Sequence, residues 1–428
     1  MKKLVILVLL AALILPAANF AAAQSDEPVT LRFTFWIALD HPAAVEVFQP
    51  LADAYMAEHP NVTIEFSFIP FADYEETIAT QLSGDEPPDA GWIVEKSGPA
   101  FEDAGVLLDL SETLKSDEAY NYADFSESAM GLWTVDDAVY GIPFSNSPII
   151  TIFNKTLFDE AGLDTPDVLS ANGEWTWEAL ASAAKTIKDE TGKVGFVGND
   201  SSLYLTTGLE WGTIVPLLRA YGADMFTPDN VCTLNSEEAV TAMTLLHNMI
   251  FVDQSVTPPG SETVFWGGEV GVTFGQLSRL SNLDDAEFEW GIAPLPSGPA
   301  GDVSVIGQAA IVAFNGANNK NQAAAADFVK YLTTQEGIGM LSKYFPPARL
   351  SVLESPEFLA SNPRVSEEDM QNVVAAAIAN GSVLTSHKNF PEIELIGATA
   401  LDMLWSPDAD VATTLETYCQ LIAPSLEK

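Results

Sequence analysis

Apolar and polar positions along the chain fall into two alternating rhythms. VTLRFTFWI, from Val29 to Ile37, is rich in β-branched and aromatic residues and predicts a first strand. HPAAVEVFQPLADAYMAEHP follows, with Val45, Phe48, Leu51, Ala52 and Tyr55 at helical spacing and Pro60 as a stop. NVTIEFSFIP alternates as a second strand. FADYEETIATQLSGDEPPD reads as a helix ended by Gly84 and two prolines, and AGWIVE as a short strand. Strand, helix, strand, helix, strand is the rhythm of an α/β unit with a largely parallel sheet. Ligands of such sheets bind beyond the carboxyl ends of the strands, here Trp36 to His41 and Trp92 to Ser97.

After Asn146 the rhythm restarts. PIITIFN predicts a strand and KTLFDEAG a short helix closed by Gly162. TWEALASAAKTIKDETG predicts an amphipathic helix with Thr176 as N-cap. EWGTIVPLLRAYGADMF and SEEAVTAMTLLHNMIF predict two more helices, and EVGVTFG a strand that exits into Gln276. FEWGIAPLPSGPAG is a strand running into a loop dense in Pro and Gly. SVIGQAAIVAF predicts a strand, KNQAAAADFVKYLTTQEG a helix, and the remainder is mostly helical. The polar break from Gly141 to Ser147, placed directly before a continuous apolar strand, suits a crossing between two lobes. The Pro- and Gly-rich loop after Trp290 suits a second crossing.

With 428 residues, 47% of them hydrophobic, the chain suits two packed units and not a disordered polymer. Lys2 and Lys3, the apolar run Leu4 to Leu15, and Ala21 to Ala23 form a secretory signal pattern, with residues 1–23 expected to be removed. No later stretch has the length and apolarity of a membrane span. The net charge of −42 excludes nucleic acid and anionic membrane as partners, because both would be repelled. The acidic excess is spread along the chain, as suits a solubilising surface or adaptation to salt. Cys232 and Cys419 are the two cysteines, and export permits either a bridge or two buried thiols. Four His and two Cys leave little for a metal site, and no metal or other cofactor is expected.

Several segments, in order, resemble one family. They are PPDAGWIVEKSGPAFEDAGVLLDL, YGIPFSNSPIITIFNKTLFDEAGLDTP, WTWEALASAAKTI, LLRAYGADMF with CTLNSEEAVTAM, WGIAPLPSG, and NKNQAAAADFVKYLTTQEG. Over essentially its whole length the chain is similar to the sugar-binding family of extracellular solute-binding proteins that serve ABC importers, the family that includes maltose-binding protein. That resemblance implies an α/β, two-lobed, type II periplasmic-binding-protein-like fold. Each lobe would be a mostly parallel sheet flanked by helices, joined to the other by hinge crossings. It places residues 29–143 plus 295–343 in a first lobe and 144–292 plus 346–428 in a second. It implies a monomer that captures a sugar between the lobes and delivers it to the transmembrane permease subunits of an ABC transporter. Both cysteines would lie in the second lobe, and a bridge between them is expected.

A saccharide site needs aromatic faces for the apolar side of a sugar ring, and carboxylates, amides and Arg for the hydroxyls. On the first lobe the candidates are Trp36, Asp40, His41, Glu95 and Lys96, with Phe144 and Asn146 on the crossing. On the second they are Trp211, Trp266 and Gln276, and Arg349 would clamp from a third crossing. Each has a plainer reading beside the binding one: core packing for the Trp residues, helix capping for Asp40, solvation for Glu95 and Lys96. One departure stands out. GGEVGVTFGQLSRL lacks the family's usual Gly-x-Trp, so a stacking platform is expected to move to Trp266. GxSxG, HExxH and P-loop motifs are absent, and the pairs Asp136–Asp137 and Asp284–Asp285 read as solvated loops, so no turnover is expected. A secreted carbohydrate-active enzyme, or a binder of a polyamine or glycerol phosphate, are the alternatives.

Overall fold

The computed structural model describes residues 27–84, 87–198, 212–257, 261, 263–316 and 320–427. Residues 1–23, expected to be a signal segment, and Trp211 lie outside the described residues.

Two sheets organise the molecule, each with its own core. The first contains β1 (Val29–Phe35), β2 (Val62–Phe68) and β3 (Ala90–Val94). After a two-stranded hairpin of β4 (Thr134–Val135) and β5 (Ala138–Val139) it gains β6 (Ile142–Pro148). The second contains β7 (Ile150–Asn154), β8 (Val194–Val197), β9 (Val270–Gly275) and β10 (Trp290–Ala293). The chain then returns to the first sheet with β11 (Val305–Ala313) and β12 (Ser382–Val383). This is the two-lobed α/β architecture that the sequence implies.

Within the first sheet β1 pairs in parallel with β2 and β3, as the βαβ rhythm dictates. β11 lies between β3 and β6 and is antiparallel to both. The second sheet departs further from a parallel arrangement. β7 is antiparallel to both β9 and β10, and only β8 and β9 run in parallel. β7 enters directly from the crossing strand, without the helical crossover that would turn it to run in parallel with its neighbours.

Strand β8, in KVGFVG, is short and interrupted by glycine, and its sequence gives no alternation. The structure explains the glycine. A Cβ on Gly195 would stand 2.1 Å from the carbonyl oxygen of Ala184, on the helix Trp177–Thr191 that covers the sheet. That helix starts as its sequence dictates. The Thr176 hydroxyl accepts the Ala179 N–H at 3.1 Å, and Trp177, Leu180, Ala183, Ala184 and Ile187 face the core.

The first core gathers Phe33, Phe35, Phe48 and Trp92 in an aromatic cluster with ring centroids 5.4–6.1 Å apart. Edge-to-face and tilted pairs of this kind add about 0.5–1.5 kcal/mol each beyond area burial. The second sheet is covered by two apolar clusters, one built on the helices Trp177–Thr191, Glu237–Phe251 and Val411–Leu426, the other on residues such as Val270, Leu280 and Met370. Cys232 and Cys419 are joined there, with Cα atoms 5.5 Å apart.

The chain changes sheet at Ile149. Residues 145–148 still pair with β11, so this passage lies later than residue 144. Ala348 and Val352 pack in the first core while Leu353 and Phe358 pack beside the second sheet, so a later passage falls near 353 and not 346. In both places first-sheet packing extends past the boundary expected from the sequence.

Candidate functional site

A cleft of about 1070 Å³ separates the two sheets. Its first wall is made by the carboxyl ends of the parallel strands. β1 ends at Phe35 and presents Trp36, β2 leads into Phe71, and β3 leads into Glu95 and Lys96. The facing wall carries Gln276 and Ser278 after β9, Arg364, and Phe390 and Glu394 from the helix Phe390–Ala400. The floor is β11 at Gly307 to Ala309, flanked by Tyr344 to Pro346.

Trp36 is partly buried and held edge-on by Trp92 (4.7 Å between ring centroids), Tyr74 (5.2 Å) and Phe71 (5.5 Å). Phe71 is 60% exposed, so this pair offers an apolar platform to the cleft. His41 is exposed on the wall. Its Nδ1 accepts the Ala43 N–H at 3.1 Å, and its ring lies 6.3 Å from that of Tyr344.

Glu95 is the buried carboxyl of the site. Its backbone N–H donates to the Gln308 carbonyl at 3.1 Å, and its Oε2 accepts the Gln308 N–H at 3.0 Å. Burial pushes the carboxyl up to about 7 from an ordinary 4.5. The hydrogen bonds from backbone N–H groups and the nearby Lys96 charge oppose that rise, and Glu75 adds to it. Gln308 is itself fully engaged. Its Nε2 donates to Asn146 Oδ1 (2.8 Å) and to the Ala129 carbonyl (3.0 Å), and its Oε1 accepts from Trp133 Nε1 (2.6 Å). Asn146 N–H in turn donates to the Pro346 carbonyl at 2.7 Å. Four chain segments that border the cleft, at Glu95, Asn146, Gln308 and Pro346, are thus tied by one buried polar network.

Of the residues singled out from sequence, Trp36, His41, Glu95 and Lys96 line the first wall of the cleft and Gln276 the facing one. Phe144 borders the cleft with a fully enclosed ring, tilted against Trp92 at 4.7 Å and edge-on to Phe345 at 5.1 Å. Asn146 lies behind the floor. Asp40 is exposed and off the wall.

Two expectations need correction. Trp266 packs against Phe265 at 5.5 Å, beside the second sheet, and does not border the cleft, so it is not a stacking platform for this space. Arg349 is completely buried in the first core. Its Nε donates to the Thr333 carbonyl and its Nη2 to the Tyr120 carbonyl, both at 2.9 Å. Its Nη1 donates to the Asn121 carbonyl and to Asp124, both at 3.2 Å. The guanidinium is sandwiched by the Tyr120 and Phe125 rings at 4.6 and 4.3 Å, leaving nothing for a ligand. Trp211 lies outside the described residues.

Sequence reasoning passed over Phe71, Gln308, Phe345, Arg364 and Glu394. Phe71 was discoverable, because it follows the carboxyl end of a parallel strand. The others sit in segments with no local signal.

The cleft's charges are compensated. Lys96 Nζ lies 3.6 Å from Glu394, Arg364 chelates Asp284 at 2.5 and 2.7 Å, and Lys343 pairs with Glu46. Aromatic faces, amides, hydroxyls and neutralised ions together suit an uncharged ligand rich in hydroxyl groups.

Residues 40–338 match the family described as bacterial extracellular solute-binding protein. The chain belongs to that family. A binding protein of Brucella abortus is 24% identical over 64% of this chain and 66% of its own length, so the match spans just under two thirds of that relative. The arabinooligosaccharide-binding protein of Halalkalibacterium halodurans is 24% identical over 74% of this chain and 72% of its own. Among solved structures, the cyclic alpha-maltosyl-1,6-maltose binding protein of Arthrobacter globiformis superposes with a TM-score of 0.79 at 24% identity. That superposition covers 94% of this chain and 99% of the other, and it carries the two-lobed fold. No helix among the described residues is long and apolar enough to cross a membrane.

Proposed function

We propose that this protein is the exported, monomeric solute-binding component of an ABC importer, taking an uncharged saccharide in the cleft and presenting it to the permease. The supporting observation is the pairing of a Trp36–Phe71 platform with a wall whose cations are each matched by a carboxylate. Ligand touching both lobes at once favours closure, which the permease then reads.

Paired cations disfavour glycerol phosphate, which needs free positive charge. A polyamine needs unpaired carboxylates, and of the two acidic side chains on the wall Glu394 is engaged by Lys96. The engagement of Glu394 by Lys96 likewise disfavours glycoside hydrolysis, which needs two free carboxyl groups with separate tasks.

A thermal-shift screen with neutral mono- and oligosaccharides, a polyamine and glycerol phosphate tests the reading. A saccharide is expected to raise the melting temperature, by about 2.7 kcal/mol of stabilisation at a hundredfold excess over Kd. Trp36→Ala should weaken that ligand up to roughly tenfold through lost stacking. A shift with the phosphate or polyamine alone, or sugar turnover, would refute it.

A further inference from the structure

We propose that Lys388–Asp103 and Lys96–Glu394 form a ligand-independent latch that holds the two lobes closed along one side of the cleft. The idea rests on the two-lobed binding reading above, but its geometry stands by itself.

Lys96 and Asp103 belong to the first lobe. Lys96 follows β3, and Asp103 ends the helix Gly98–Asp103, whose Phe101 packs in the first core. On the other side Leu384, Phe390 and Ile393 pack in the second core, and they flank Ser386, Lys388 and Glu394. Between these two bodies the Ser386 hydroxyl donates to the Lys96 carbonyl at 2.8 Å. Lys388 Nζ stands 2.9 Å from Asp103 Oδ1, and Lys96 Nζ 3.6 Å from Glu394. The other ion pairs bordering the cleft, Lys343–Glu46 and Arg364–Asp284, each stay on one side of it.

Placement near the pivot strengthens the case. Ser386 lies three residues beyond β12, which is paired into the first sheet. Its hydrogen bond therefore sits close to where the chain crosses. Lys388 and Glu394 lie two and eight residues farther along the chain, on the second-lobe side of that bond.

The charge of the chain gives the latch a task. With 60 acidic against 18 basic residues, lobe closure brings like charges together. Two of the few lysines are set at the seam, each against a carboxylate of the opposite lobe. Such half-exposed pairs shift an equilibrium roughly one-and-a-half- to fivefold each. A larger closed fraction before ligand arrives tightens apparent affinity in proportion.

The test uses the full mature chain, disulfide intact, without ligand. Small-angle X-ray scattering at low salt would compare wild type with Asp103→Asn, Lys388→Gln, the double variant, and the exchange Asp103→Lys with Lys388→Asp. Neither residue borders the cleft. Each single change should lower the closed-to-open ratio about one-and-a-half- to fivefold. The double change should do no more than either single one, and the exchange should recover compactness. These differences should vanish in molar NaCl. Identical scattering from all variants at low salt, additive single effects, or an exchange no better than the double loss would overturn the proposal. Because no sugar is present, such a failure leaves the saccharide reading untouched, and a failed sugar screen leaves the latch untouched.

Discussion

Replacing Glu95 with Gln should make the protein more stable at pH 8 and worse at binding. The carboxyl ordinarily titrates near 4.5, and burial raises it to about 7 in the folded chain. The folded state therefore holds this proton more tightly than the unfolded state between those two values. Stability from this group is fully present below pH 4.5 and declines as pH rises through about 7. At about 1.36 kcal/mol per pH unit, the ionised carboxylate costs the fold about 3 kcal/mol at pH 8. Gln keeps an oxygen to accept the Gln308 N–H and carries no charge to desolvate. Its melting temperature should match wild type near pH 4.5 and exceed it at pH 8 by roughly 6–12 °C, taking about 2–4 °C per kcal/mol for a lobe of this size. Calorimetry at pH 4.5, 6 and 8 reads the widening gap. Ligand affinity should fall at the same time, since a hydrogen bond to a charged acceptor contributes about 1.5–3 kcal/mol. A gap that stays constant with pH would refute the burial argument, and an unchanged affinity would remove Glu95 from the site.

Arg349→Ala should lower stability by about 3–5 kcal/mol, because it leaves the Tyr120 and Thr333 carbonyls unpaired and deprives Asp124 of its guanidinium partner; a melting curve within a degree of wild type would count against this. Reduction, or Cys232→Ser, should cost about 2–5 kcal/mol, since the bridge closes a sequence separation of 187 residues; equal melting with and without reductant would contradict that expectation. The melting temperature should climb from low to molar NaCl as the screening length shrinks from about 30 to about 3 Å, and a flat profile would mean that self-repulsion is unimportant.

The α/β rhythm was legible because strands β1 to β3 and the helices between them obey simple periods. Thr176 was legible as a cap for the same local reason. β8 was hidden, since Gly195 answers to a helix lying on it and that contact is invisible in one dimension. Arg349 shows the complementary failure. FPPARLS gives no sign that the guanidinium is enclosed, and a lone Arg beside a crossing reads like a ligand clamp. Trp36, Glu95 and Gln276 were found by a topological rule, that strand ends carry ligands, together with the family resemblance. Gln308 was not found, because its task is to satisfy partners from Asn146, Ala129 and Trp133, which meet only after folding.

The position of β11 also sets the order in which the molecule can assemble. The four strands of the second sheet span residues 150 to 293 without interruption, so that sheet can form as soon as its own segment is available. The first sheet cannot. β3 and β6 share no backbone ladder, and each waits for Val305–Ala313 to come between them as its hydrogen-bonding partner. Pairings as distant as Ala90 with Ala313 carry a large loop-closure cost, which makes this lobe the slow step of folding. A chain synthesised from its N-terminus thus keeps its leading third unable to close its sheet until more than two thirds of its length has been made.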